Sequence, residues 1–264
     1  MAEPSPPTVP WHGDVTCYPR LYDLLHLAES ADIKLYLDMT QHSQEVLECG
    51  IGTGRVAIPM ARAGRFVHGV DNSREMLAHL DHKLESESEE VRSRIRIYEQ
   101  DLQSFELGLR FPFVYVPFMT FNYLADVEAQ LACLNSIREH LETGGSVVIE
   151  SMSFCQEWFY SDGIPRLVAR RKDPETGLDI EVFRITRFDP STQIVEHDRY
   201  YRFVDDSGKV LEERRVRWRN RFFFLGEARL LVERAGLRLE EIWGDHKKRP
   251  YTRDSRVMLL VASR

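Results

Sequence analysis

The chain reads as an α/β fold: a parallel sheet covered by helices on both faces, interrupted late by an antiparallel β insertion. Two observations predict the parallel sheet and a third the insertion. Strand-like runs alternate with helical ones four times before residue 151. Three acids, Glu48, Asp71 and Asp101, stand at the ends of the first three strands, and a glycine turn follows the first. From 166 to 224 the helices give way to strand-like runs at Ile180–Phe188, Ile194–Val204 and Glu212–Phe224. Between them lie Asp189-Pro190 and Asp205-Asp206-Ser207-Gly208, both turn-forming.

The elements follow in order. Residues 1–17 are proline-rich and read as a flexible tail. Apolar residues at helical spacing between Tyr18 and Met39 predict two short helices. The first strand, Val46–Cys49, runs into the turn Gly50-Ile51-Gly52-Thr53-Gly54, and a helix opens at Val56. The second strand is Phe66–Asp71, and Ser73 caps a helix to Leu84. Glu85–Glu90 reads as a solvated helix end and linker, ahead of a third strand at Ile95–Gln100. A fourth strand spans Phe111–Pro117. Asp126 caps a helix, Val127–Leu141, that stops at Gly144-Gly145, and Ser146–Glu150 is the fifth strand. After the insertion come a helix at Gly226–Ala235 and two strands, Leu237–Trp243 and Val257–Ala262.

A glycine turn between strand and helix, with an acid at the next strand end, indicates a nucleoside ligand. A dinucleotide fingerprint requires Gly-x-Gly-x-x-Gly, so that the helix N-terminus can face a pyrophosphate. Here the glycines alternate, and bulky Arg55 follows Gly54. That spacing fits S-adenosylmethionine, which has no phosphate and needs close passage over the turn.

The run Val46–Leu77 resembles the class I S-adenosylmethionine-dependent methyltransferases, and the likeness extends with decreasing specificity over 18–264. It implies a Rossmann-like seven-stranded sheet whose last strand is antiparallel. It also implies S-adenosyl-L-methionine as methyl donor and S-adenosyl-L-homocysteine as product. Glu48, Gly50 and Gly52 would then line the methionine moiety, and Asp71 would take the ribose hydroxyls. Asn72 and Ser73 would lie beside the adenine, Asp101 would accept from its amino group, and Leu102 would offer its backbone N–H. Phe118–Tyr123, after the fourth strand, would border the reactive methyl. Tyr22-Asp23 resembles the Tyr-Asp of a segment that folds over the cofactor. The insertion is similar to that of the amino-sugar N-methyltransferases, where it covers substrate or makes a dimer contact. Those enzymes carry a histidine where this chain has Tyr123.

The core is therefore expected over 18–165 and 225–264, and the insertion over 166–224. A formal charge of −7 and the lack of a base-stacking aromatic stripe argue against nucleic acid. No apolar run approaches a membrane span, and four cysteines without metal-ligand spacing suggest a reduced, cytoplasmic setting without a metal. The expected activity is methyl transfer to nitrogen or oxygen of a small polar metabolite, with Tyr22 and Tyr123 orienting the acceptor and a homodimer possible. A nucleic-acid or protein methyltransferase and a catalytically silent partner subunit are the alternatives. Two basic features set an anionic acceptor against a solvated surface. One is the arginine series Arg215, Arg217, Arg219 and Arg221, which Glu181, Glu196 and Asp198 could neutralise. The other is His246-Lys247-Lys248-Arg249-Pro250-Tyr251, between the last two strands.

Overall fold

The computed structural model describes residues 19–26, 31–154 and 163–264, so the proline-rich tail, Cys17 and Cys155 lie outside the described residues. At the centre is β1 (Glu45–Cys49), whose Val46, Leu47 and Cys49 are wholly buried, as a strand covered on both faces requires. It pairs in parallel with β2 (Phe66–Asp71) on one side and β4 (Phe111–Val116) on the other. Beyond them lie β3 (Ile95–Glu99) and β5 (Leu141–Met152), also parallel. The sheet closes with β10 (Arg238–Trp243) and β11 (Val257–Ser263), in the order β10-β11-β5-β4-β1-β2-β3. Strand β11 runs antiparallel to both its neighbours. The strand order reverses between β1 and β4, and such a switch point opens a crevice at the C-terminal ends of the strands.

Helices α1 (Pro19–Leu25) and α2 (Ala31–Met39) precede the sheet, and α3 (Ala57–Arg62) and α4 (Arg74–Glu85) follow β1 and β2. Ser73 caps α4 by accepting from Met76 N–H at 3.4 Å. Glu85 ends α4 and 86–88 connect, as a helix end and linker should, but Glu89 and Glu90 open a short helix, α5 (Glu89–Ser93), because Ser88 supplies an N-cap and the two acids favour the first turn. Asp126 caps α6 (Val127–Glu139) by accepting from Ala129 N–H at 2.7 Å. That helix ends earlier than its sequence suggested, with His140 as C-cap. Gly144-Gly145 lies within β5, where Gly144 takes φ 79° and the pairing with β4 shifts register. The left-handed backbone expected to stop a helix serves a strand irregularity here.

Four strands form the second sheet: β6 (Arg166–Lys172), β7 (Asp179–Asp189), β8 (Ile194–Val204) and β9 (Val210–Arg221), each antiparallel to the next. β9 stops at Arg221, and Phe222 and Phe223 turn into the interior before α7 (Leu225–Arg234). On one face Val182, Tyr201, Val216 and Trp218 pack against Leu21 of α1. All four arginines of the series are paired with acids. Buried Asp198 takes Arg187 at 3.0 Å, Arg215 at 2.9 Å and also Arg217, while Glu196 takes Arg219 at 2.8 Å. Glu181 pairs with Arg170 at 2.9 Å, not with the series. Arg221 is buried against Gln130, Gln193 and Glu227.

Candidate active site

The crevice at the switch point holds a cavity of about 640 Å³, and every candidate site residue lines it. The strand ends bring Glu48, Asp71 with Asn72 and Ser73, and Asp101 with Leu102 to one rim. The turn adds Gly50 and Gly52, the segment after β4 adds Phe118 and Tyr123, and α1 adds Tyr22.

The glycines do two jobs. Gly50, Gly52 and Gly54 all take left-handed φ, at 86°, 52° and 72°. A Cβ on Gly52 would meet nothing nearer than Met76 Cε at 3.5 Å, so the backbone is open to a ligand there. On Gly54 it would strike Leu80 Cδ1 at 2.4 Å, so this glycine brings the turn down onto α4 rather than clearing space for a ligand.

The Asp71 carboxylate is fixed by two backbone donors, Gly52 N–H at 2.8 Å and Ser73 N–H at 2.9 Å. Asp101 accepts from Asn72 Nδ2 at 3.1 Å and from Gln103 N–H at 2.8 Å. Glu48 is only 1% exposed and accepts from Tyr115 Oη at 2.9 Å. Burial pushes its carboxyl up to about 8, against the opposing pull of Tyr115 and Arg55. Without a cation beside it the group is protonated at neutral pH. A buried carboxyl under the glycine turn, a fixed acid at the second strand end and open space above Gly52 suit an ammonium, a ribose and the chain between them.

Tyr22 meets Phe118 edge-on, with ring centroids 5.9 Å apart. Burial pushes its hydroxyl up to about 12, with Arg55 pulling the other way, which leaves it a donor rather than a base. Next to it in sequence, Asp23 accepts from Thr53 Oγ1 at 2.6 Å and Lys83 Nζ at 2.7 Å, with His79 at 3.2 Å. Arg20, on the same helix, holds Asp173 of the second sheet through two hydrogen bonds of 2.6 and 3.0 Å. Helix α1 is thus tied to the glycine turn and α4 on one side and to the β6–β7 turn on the other.

Residues 46–145 match the family described as a methyltransferase domain. The chain carries a methyltransferase domain and is an S-adenosylmethionine-dependent methyltransferase, similar to the class I enzymes. One relative is the dTDP-3-amino-3,4,6-trideoxy-alpha-D-glucopyranose N,N-dimethyltransferase of Streptomyces venezuelae, 29% identical over 167 residues. That match spans 59% of this chain and 65% of the relative, just under two thirds of its length. The cypemycin N-terminal methyltransferase of a Streptomyces species is 28% identical over 92% of this chain and 94% of its own. In fold, the methyltransferase is similar to CcbJ from Streptomyces caelestis, with a TM-score of 0.75 and 24% identity over 93% of this chain and 95% of that one.

One feature of the methyltransferase's cavity was not picked out in the sequence. Arg55 is 7% exposed, paired with buried Asp32 of α2, and its guanidinium lies 4.7 Å from the centroid of the Phe118 ring. Its only sequence signal was a bulky cation directly after a glycine turn. Arg217 and Arg219 of β9 also line the cavity, whereas Lys247, Lys248 and Arg249 do not. That loop does lie at the C-terminal edge of the sheet, but it folds back on itself. Gly244 N–H donates to Arg249 O at 2.7 Å, Arg249 pairs with Asp245, and Lys248 Nζ sits 5.1 Å from the Trp243 ring centroid.

Replacing Asp71 with alanine is expected to weaken S-adenosylmethionine binding by roughly 1.5–3 kcal/mol, through loss of charge-assisted hydrogen bonds to the ribose. Calorimetric titration checks it, and unchanged affinity would remove Asp71 from the cofactor site.

Proposed function

We propose that the methyltransferase acts on nitrogen or oxygen of a small polar metabolite that carries an anionic group, with an amine as the leading acceptor. The observation behind this reading is the shared cavity. Its 640 Å³ must admit donor and acceptor together, in the size range of small-molecule sites. S-adenosylmethionine supplies an electrophilic methyl on its sulfonium. The protein has to hold the donor by Glu48, Asp71 and Asp101, exclude water, and align a neutral amine or a hydroxyl in line with the methyl. Phe118–Tyr123 and Tyr22 face the acceptor side. Tyr123 is 43% exposed and borders both this cavity and a neighbouring one of about 950 Å³. The larger space offers room for the rest of the acceptor.

The anionic group is assigned to the β9 side of the cleft. Arg187, Arg215 and Arg217 share one carboxylate, Asp198, and Arg217 borders the cavity. The name of the Streptomyces venezuelae relative specifies an amino sugar on dTDP, which combines an amine with a diphosphate. The second sheet would cover such an acceptor, and its edge strand β6, with Leu167 and Val168 exposed, would serve self-association. A cytoplasmic setting is proposed from Cys49 and Cys133, both buried as free thiols.

The test is a methyl-release screen with S-adenosylmethionine against a nucleotide-linked amino sugar, a free amino sugar, a peptide N-terminus and RNA. Turnover on the small amines alone is expected; turnover on RNA alone would overturn the reading. Tyr123→Phe is expected to lower kcat on the responding amine about 10-fold or more while S-adenosylhomocysteine affinity stays within about twofold, because the hydroxyl orients the acceptor and not the donor. Equal turnover would make Tyr123 a packing residue.

A further inference from the structure

The turn that borders the acceptor side stores backbone strain. Phe118 and Met119 take φ 51° and 63°, the left-handed region, and neither is a glycine. Each such residue is strained and persists where its surroundings over-determine it. Three parts of the fold do so here. Asn122 donates to Arg221 O of β9 at 2.8 Å and accepts from Met152 N–H of β5 at 3.1 Å. Thr120 N–H closes the turn on Pro117 O at 3.1 Å. Phe118 N–H itself donates to Glu150 Oε2 at 3.3 Å.

Glu150 is the unusual partner. It lies within the buried run Val147–Met152 of β5, is 3% exposed, and does not line the cavity. The same oxygen that receives Phe118 N–H lies 3.4 Å from Tyr36 Oη and 3.2 Å from His246 Nε2. His246 comes from the β10–β11 loop, 96 residues further along the chain. On the other side of the turn, the Phe118 ring packs against Tyr22 and His26 of the α1 segment and beneath the Arg55 guanidinium. One buried carboxylate therefore holds the backbone of a residue whose ring supports both α1 and the acceptor side.

We infer that His246 is a positioning residue for methyl transfer: acting through Glu150, it holds the left-handed Phe118–Met119 turn in the shape that faces the acceptor. The inference rests on the reading of Phe118–Tyr123 as the acceptor side. Glu150 binds Phe118 N–H best as a carboxylate, and a buried carboxylate needs a compensating cation close by. His246 supplies it. The groups facing the imidazole are Glu150 from β5, Asp32 and Tyr36 from α2 with Arg55 on Asp32, and Asp245 in its own loop. Burial disfavours the imidazolium, but hydrogen bonding to Glu150 and the charges of Glu150, Asp32 and Asp245 outweigh it and raise the group above its ordinary value. The contribution of the pair is thus complete below about pH 6.5 and is lost as pH rises through the higher folded value.

Hydrogen exchange at the Phe118 amide, followed with bound S-adenosylhomocysteine against pH, tests this directly. The titration midpoint of His246 is read in parallel from its ring resonances. In the wild type, exchange corrected for its intrinsic pH dependence is expected to rise about tenfold as pH passes that midpoint, when the imidazolium loses its proton and the Glu150 carboxylate, left without its countercharge, is held less firmly against Phe118. His246→Gln keeps a donor but carries no charge, so its corrected exchange should be fast and flat, with S-adenosylhomocysteine affinity unchanged. Glu150→Gln should abolish the step and return the midpoint of His246 toward its ordinary value. A purely structural His246 would shift stability without a step at Phe118. The inference is overturned if the wild type shows no step at the midpoint, or if His246→Gln retains it. Failure of the acceptor-side reading shows separately, as unchanged turnover in Tyr123→Phe.

Discussion

Asp32→Ala is expected to destabilise the methyltransferase by about 3–5 kcal/mol, the cost of stripping one partner from a buried ion pair. Asp32 and Arg55 are both buried. With the carboxylate gone, the guanidinium keeps the Phe118 ring beside it but loses its countercharge. A cation on an aromatic face recovers about 0.5–2 kcal/mol, too little to offset the loss. Arg55→Met should cost a similar amount for the mirror-image reason. Asp32→Leu combined with Arg55→Met removes both charges and should come much closer to wild type, since apolar replacements of a buried pair are often near neutral. Urea denaturation of the two single variants and the double checks this. A loss below about 1 kcal/mol in both single variants would mean that water reaches the pair and screens it.

The second large effect works in the opposite direction. Glu48→Gln is expected to make the free protein roughly 3–4 kcal/mol more stable at pH 8, while weakening its hold on S-adenosylmethionine. Glu48 ionises near its ordinary value when unfolded and only near about 8 when folded. Between those values the folded state holds a proton that the unfolded state has released. Its stabilising contribution is therefore complete at acid pH and declines as pH rises toward 8. Glutamine has no charge to desolvate, and its carbonyl can still accept from Tyr115 Oη. The window from pH 6.5 to 8.5 suits the measurement, because His26 and His197, both pushed down to about 3 mainly by burial, change stability only below it. His246, raised above its ordinary value by Glu150, is common to both proteins. Thermal melts of the two should diverge as pH rises, and parallel curves would show Glu48 to be ionised in the free protein. Binding an ammonium at Glu48 should also release a proton near pH 7, which calorimetry in buffers of different ionisation enthalpy would detect.

What could be read from the sequence and what could not divide along a physical line. The glycine turn, the strand-end acids and the segment after β4 were legible because each is a local pattern, and the parallel topology carries them to one edge of the sheet. Partnerships between distant residues left no such mark. Asp32 reads as an acid in the first turn of a helix, and nothing local joins it to Arg55 or joins Glu150 to His246. Gly144-Gly145 was misread because a left-handed glycine ends a helix and bends a strand equally well. A fourth strand in the insertion was left open and given no range, since Arg166-Leu167-Val168-Ala169-Arg170-Arg171-Lys172 does not alternate and its pairing with β7 makes it a strand. The basic loop between the last two strands was legible as charge, but charge in a sequence does not reveal whether the backbone turns it toward a cleft or away.

The two anchors of α1 carry a consequence for grafting. Arg20 is committed to Asp173 in the second sheet, and three residues later Asp23 is committed to Thr53, His79 and Lys83 beside the glycine turn. A chimera that borrows the insertion of a relative to change acceptor preference, and leaves α1 behind, breaks the first set of contacts and keeps the second. The helix would then be seated on its own donor pocket with nothing to hold its far end. Transplanted together, 19–26 and 166–221 move as one unit of inheritance, and the seam falls on Asp23, whose three partners must come from the host.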